Sequence, residues 1–290
     1  LGLLVLAFAV PACDGENGDA AAPDEAEMDR LRALPYIDAS SPAEGRSASG
    51  LLIRDRERSS PGHTLYTVQM LGRAELIDDE GAVVHRWQAG TRGRWERADL
   101  LPGGDLVVIG ADDAGRRDRQ IPDESRYLSR LAPDGTARWT RRMTAHHDVE
   151  AVPGGGLLVL AFQRRTVPTI HPKIDVRDDL LMLLDDDGKV REIRSLLDAF
   201  WASPELHSLR PIRPNRQGVR PWIDLFHANS VEWIRRPTLE GRHPIYEPGN
   251  VLVSLRNQNC IAVVNWAEGR LVWTWGAGQL LGPHDAQVLE

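Results

Sequence analysis

The chain has 290 residues, 42 % of them apolar and nine of them tryptophan, the composition of a globular protein with a sizeable core. A formal charge of -7 argues against a nucleic-acid surface, because phosphate binding requires a net basic face. Two cysteines, Cys13 and Cys260, provide neither a disulfide framework nor a zinc site. Cys260 lies in an apolar run and is expected to pack as a small buried hydrophobe.

Residues 1–10 (LGLLVLAFAV) are apolar but too short to span a bilayer as a helix. They read as the hydrophobic region of an export signal whose charged start is missing. Val10-Pro11-Ala12-Cys13 then resembles a lipobox, in which Cys13 becomes the lipidated first residue of a mature protein held at the cell envelope or periplasm. The alternative, ordinary signal cleavage nearby, also gives an extracytoplasmic protein. Residues 14–60 are rich in Ala, Asp, Glu, Ser, Gly and Pro, with little apolar periodicity, and are expected to form a flexible tether.

From residue 61 onward a repeat predicts an all-β propeller domain. Each unit runs as apolar strands, a polar turn and a last strand often carrying Trp. The turns are Asp79-Glu80-Gly81, Pro133-Asp134-Gly135, Asp186-Asp187-Gly188 and Ala267-Glu268-Gly269. Asp-Gly and Glu-Gly supply the positive backbone angle of a tight hairpin. The predicted strands cover residues 65–70, 74–78 and 83–87, then 100–109, 127–131 and 137–139. A third unit covers 147–160, 180–184 and 190–193, and a fourth 230–234, 251–255, 261–265 and 271–275. Units of antiparallel strands at this spacing describe propeller blades, with a β-sandwich as the alternative.

Residues 195–208 break the rhythm: Leu196, Leu197, Phe200 and Trp201 fit one helical face, and Pro204 stops the run. This insert is expected as a helix, either shaping an aromatic pocket at the channel mouth or capping an edge. The final residues, from His284-Asp285, repeat the start of the third unit at His147-Asp148. Four blades and the start of a fifth are therefore expected, as in a chain cut from a six-bladed ring.

Three side chains beside apolar runs have no packing rationale: His227, Arg256 and His284. His147 and His284 are each followed by Asp and a strand, His227 precedes the strand at Val231, and Glu96 takes the matching place in the second unit. Alone, each histidine reads most simply as a surface or satisfied core residue. Together with Arg256, at the starts of strands that converge on one channel end, they suit an oxyanion. His63, His85, His171, His207 and His243 lack such placement and read as structural or exposed. Arg141-Arg142 and Asp185-Asp186-Asp187 read as solvated turns.

The pieces Asp224-x-x-His227, Asn229-Ser230-Val231, Ser254-x-Arg256, Val272-Trp273, His284-Asp285 and the upstream His146-His147-Asp148 resemble the bacterial aryl-sulfate sulfotransferase family over residues 62–290. The resemblance implies that His284 is the histidine that becomes sulfated. It also implies that His147, His227 and Arg256 stabilise the moving group, with His227 a candidate proton carrier, while His146 competes with His147 for its place. Asp148 and Asp285 are expected to orient neighbouring imidazoles, and Asp224 and Asn229 to do so for His227. A phenolic sulfate donor and a phenol acceptor follow, with no cofactor and no metal. No Gly-rich phosphate loop opens a helix, so a nucleotide sulfate donor is not indicated. Membrane contact is expected only through a lipid on Cys13. The rival readings are a propeller hydrolase or lyase with a histidine-bound metal, and a non-catalytic binding scaffold.

Overall fold

The computed structural model describes residues 51, 53–88, 93–112, 121–215 and 220–289. Within them the chain forms four antiparallel sheets, the blades of a β-propeller. Blade one is β1 (Thr64–Val68), β2 (Arg73–Ile77) and β3 (Val83–Gln88). Blade two is β4 (Gly93–Leu100), β5 (Leu106–Asp112), β6 (Arg126–Leu131) and β7 (Ala137–Arg142). Blade three is β8 (Val149–Ala151), β9 (Leu157–Arg165), β10 (Asp175–Leu184) and β11 (Val190–Ser195), and β12 (Trp222–Asp224) adds to β10 in parallel. Blade four is β13 (Ala228–Trp233), β14 (Asn250–Leu255), β15 (Cys260–Asn265) and β16 (Arg270–Trp275). The expected lipobox with Cys13, and the tether as far as residue 50, lie outside the described residues. Arg54 pairs with Asp79 and Glu80 on the turn of blade one.

The recurring turn closes the last hairpin of each blade through a local side-chain bond. Asp185 Oδ1 accepts from Asp187 N and Lys189 N, as Asp78 Oδ1 accepts from Glu80 N and Ala82 N. Gly188 has φ 72°, and an added Cβ would meet the Trp139 ring at 2.9 Å, so the turn needs glycine twice over. This contact corrects one expectation. The runs 141–142 and 185–187 are not simply solvated, because Trp139 Nε1 donates to Asp186 O at 2.8 Å and Arg141 Nη2 to Asp187 O at 2.8 Å. They join blade two to blade three.

Apolar faces between blades form the core. Leu158, Leu160 and Leu181 of blade three pack with Phe226, Val253 and Leu255 of blade four, and Val107, Ile109 and Leu128 with Val159 and Leu184. Cys260 is a free, buried thiol within the first of these clusters, and burial pushes its pKa up to about 12. A second link runs along the innermost strands. Asp148 Oδ2 accepts from Val231 N at 2.9 Å, Glu150 Oε2 from Trp233 N at 2.5 Å, and Glu232 Oε2 from Val288 N at 2.7 Å. Carboxylates of one blade thus complete the backbone hydrogen bonding of the next.

The insert is shorter than expected: α1 spans Leu196–Trp201, capped by Ser195, whose side chain accepts from Asp198 N. β4 begins at Gly93, upstream of its expected start. Among the described residues no helix is long and apolar enough to cross a membrane.

Candidate functional site

Two corners of unusual backbone build the site. His147 (φ 56°) and His227 (φ 48°) take left-handed conformations just before β8 and β13. Glu150 and Glu232 make the same bond to the next blade, so they are equivalent, and three residues upstream of each stand His147 and Asn229. His227 therefore lies two residues before the position that matches His147, on the far side of a register shift between Ala228 and Ser230. Its left-handed turn brings the ring back, to 5.1 Å between centroids from His147 at 73°.

Hydrogen bonds to groups that can only accept define the tautomers. His146 is fully buried, and its Nε2 lies 3.2 Å from Ala161 O, so Nε2 carries the proton and Nδ1 accepts. His147 Nδ1 lies 2.9 Å from that nitrogen and 3.4 Å from Glu96 Oε1, and so donates. His227 Nδ1 donates to Asp224 Oδ2 at 2.5 Å, and His284 Nδ1 to Gly282 O at 2.8 Å. His147, His227 and His284, when neutral, each present a bare Nε2. His147 and His284 are partly exposed, and His227 retains a narrow opening.

The remaining pieces knit the corners together. Arg256 N donates to His227 O at 3.3 Å, and its Nη1 to Asn257 Oδ1 at 3.2 Å. Asn257 Nδ2 donates to Asp224 O at 2.6 Å. Asn229 Nδ2 donates to Pro283 O at 2.9 Å, fixing the residue before His284. Arg256 also packs on Gly282, where an added Cβ would lie 3.7 Å from its Cγ. The structure thus brings His146, His147, Asp224, His227, Asn229, Arg256 and the segment carrying His284 into one neighbourhood.

Three expected orienting groups do other work, the first being Asn229, whose amide serves Pro283 O and makes no bond to His227. Asp148 does not address an imidazole: it accepts from Val149 N and Val231 N and pairs with Arg97 at 3.3 Å. Burial pushes it up to about 6. The carboxylate beside His147 is instead Glu96 of blade two. Asp285 is exposed with φ 52°, and its charge acts on Arg97 and Glu232.

Electrostatics separates the groups. Burial opposes the charge of Glu96, but His147, Arg126 and His146 hold it at about 2. Burial and the neighbouring His146 lower His147 to about 3, so it is neutral at rest, and burial lowers His146 well below the usual range. Beneath them lies Arg177, a buried guanidinium 4.2 Å from the centre of the Phe162 ring. Sequence reading missed it, because an arginine in a strand looks like an outward face until β12 covers it.

A cavity of about 610 Å³ adjoins this neighbourhood, lined by Leu206, His207, Arg210, Asn259, Gln279 and Leu281. Asn259 Oδ1 accepts from Gly282 N at 3.1 Å, which ties the cavity to the segment before His284, but none of His147, His227, Arg256 and His284 lines it. Among the described residues no group of three or more His, Cys, Asp or Glu side chains is arranged to hold a metal ion.

Comparison with known proteins bears on the same region. The chain is similar to a Bacteroides caccae protein of unknown function, with 13 % identity, 76 % of this chain and 74 % of that one covered, and a TM-score of 0.35. It is also similar to the Kuenenia stuttgartiensis hydrazine synthase, with 12 % identity, 70 % of this chain and 49 % of that one covered, and a TM-score of 0.41. No curated protein matches it. A family model, arylsulfotransferase (ASST), matches residues 127–286, more than half of the chain, from the outer strands of blade two past both left-handed corners to the His284 segment. On that match the chain belongs to the arylsulfotransferase (ASST) family.

Proposed function

We propose that the protein moves a sulfuryl group from a phenolic sulfate ester to a phenolic acceptor without a nucleotide donor, in two steps through a sulfated His284. The observation that carries this reading is the bare Nε2 of His284, with Nδ1–H held on Gly282 O, in a segment that packs on Arg256 at Gly282 and is tied at Pro283 to Asn229, next to the corner of His227. In the first step His284 Nε2 attacks sulfur and the bond from sulfur to the aryl oxygen breaks. The positive charge gained by the imidazole sits partly at Nδ1–H, facing the Gly282 carbonyl. The departing phenolate takes a proton from protonated His227. In the second step the acceptor phenol returns a proton to His227, its oxygen attacks sulfur, and the N–S bond breaks.

The moving group spreads negative charge over three oxygens, by analogy with phosphoryl transfer. Arg256 is a permanent forked donor for it. His147 is neutral at rest, but an arriving anion favours its protonated form and turns Nε2 into a donor.

The test uses the purified full chain and 4-nitrophenyl sulfate. Release of 4-nitrophenol should require an acceptor phenol. His284→Asn should lower it by at least about a thousandfold, the scale of losing a covalent nucleophile. Full turnover by that variant would remove the central assignment.

A further inference from the structure

We propose that Arg177 and Asp179 are positioning residues that lock the tautomer and corner of His227, an inference that builds on the reading of His227 as the proton carrier. Both residues lie on β10 and both are buried. Asp179 Oδ2 accepts from Ala228 N at 2.9 Å, so it pins the peptide that follows the left-handed His227. Asp179 Oδ1 lies 3.3 Å from both Arg177 Nε and His146 Nε2. Arg177 Nε lies 3.9 Å from Asp224 Oδ1, and the other oxygen of that carboxylate receives His227 Nδ1–H.

Arg177 has an odd environment for a cation. Its Nε and Nη2 are buried without a hydrogen-bond partner, as are Asp179 Oδ1 and Asp224 Oδ1. A bare structural arginine this deep costs stability unless its charge does something. Here it lies between two enclosed carboxylates and keeps one of them ionised. Burial opposes the charge on Asp224, yet Arg177 first and then His227 hold its pKa well below the usual carboxylate range. Asp179 moves the other way, raised by burial. The groups facing Asp224 are Arg177 and Asp179 from β10, His146 from the corner before β8, and His227 from its own.

The chemical consequence concerns one proton. An ionised Asp224 can only accept, so it holds His227 in the Nδ1–H form with Nε2 open. A neutral Asp224 would donate its own O–H to Nδ1 and drive the ring proton to Nε2, where it blocks the general-base role. By this logic the buried arginine, acting through Asp224, decides which face of His227 is reactive.

The experiment follows the His227 ring by ¹⁵N-resolved NMR in the full chain near neutral pH. In its neutral form, the one that takes the acceptor's proton in the second step, the wild-type ring should show protonated Nδ1 and bare Nε2. Arg177→Met should shift the ring toward the Nε2–H form, and Arg177→Lys should largely restore the wild-type pattern. In turnover, Arg177→Met should lower kcat by about 10–100-fold, as loss of a supporting shell does, with KM changed by less than about threefold. A folded Arg177→Met protein with the wild-type tautomer would overturn the proposal. Should that variant not fold, the wild-type Asp224 carboxyl signal decides: it should not titrate in the ordinary range near about pH 3.9, and titration there or higher would overturn the proposal. The tautomer result stands apart from turnover. A chain with no transferase activity but the expected spectra would support the positioning role while removing the sulfuryl-transfer reading.

Discussion

Blades one and four share one plan, antiparallel strands closed by a Glu-Gly turn, yet differ in how they are enclosed. In blade four β14 is buried at every position and β15 at all but Asn265. In blade one β1 and β3 alternate with exposed residues, and Val83 and Val84 are 45 % and 48 % exposed. His147, His227, Arg256 and His284 sit at the enclosed end of this contrast, at corners leading into or out of blades three and four, and Glu96 joins them from blade two. The difference teaches where precision comes from. A side chain is held to a fraction of an ångström only when the strand beneath it is packed on both faces.

The contrast can be broken most forcefully at Phe226, which is fully buried, lies 5.0 Å from the Phe200 ring and directly precedes His227. Phe226→Ala should cost about 3–5 kcal/mol in urea unfolding, the range for an aromatic core truncation. A loss under about 1 kcal/mol would mean that the blade three–four interface repacks freely.

A smaller effect sharpens the comparison along the innermost strands. Burial raises Glu150 to about 7 from its ordinary 4.5, although Trp233 N–H favours the carboxylate. The folded state therefore keeps a proton that the unfolded chain has released. This stabilisation is complete below 4.5 and is lost as pH rises through about 7. Glu150→Gln keeps an acceptor for Trp233 N and removes the titration. It should match wild type at about pH 5 and exceed it by about 1 kcal/mol at about pH 8.5, a figure discounted for partial exposure. Asp148, also raised, will leave some residual slope. Parallel stability profiles for the two proteins would refute the assignment. The smallest effect is expected in blade one: Val83→Ala should change unfolding free energy by no more than about 0.5 kcal/mol.

The blades were legible because their signal is local. Asp185 forms its turn from residues two and four positions ahead, so Asp-Asp-Gly announces the hairpin before any tertiary contact exists. β4 was legible only at its end, because RWERADL hides two inward residues, Trp95 and Ala98, among charges. β12 was missed altogether. Three residues pairing in parallel with β10 after a long insertion leave no periodic trace. The same gap hid Arg177 and Asp179, whose surroundings come from strands far apart in sequence. Histidine placement was readable in outline, but the register shift at Ala228 was not, so His227 seemed to share a level that Asn229 occupies. Asp148 looked like an imidazole partner by adjacency, and its carboxylate instead serves the next blade.

The positive φ at His147, His227 and Asp285 carries a thermodynamic consequence. Such backbone costs a residue with a side chain on the order of 1–2 kcal/mol, and glycine adopts it freely. Folding alone would thus favour glycine at all three corners, and the imidazoles of residues 147 and 227 are kept against that gradient. Conformational ease and chemical competence are opposed at these positions, and the enclosed blades on either side absorb the conflict.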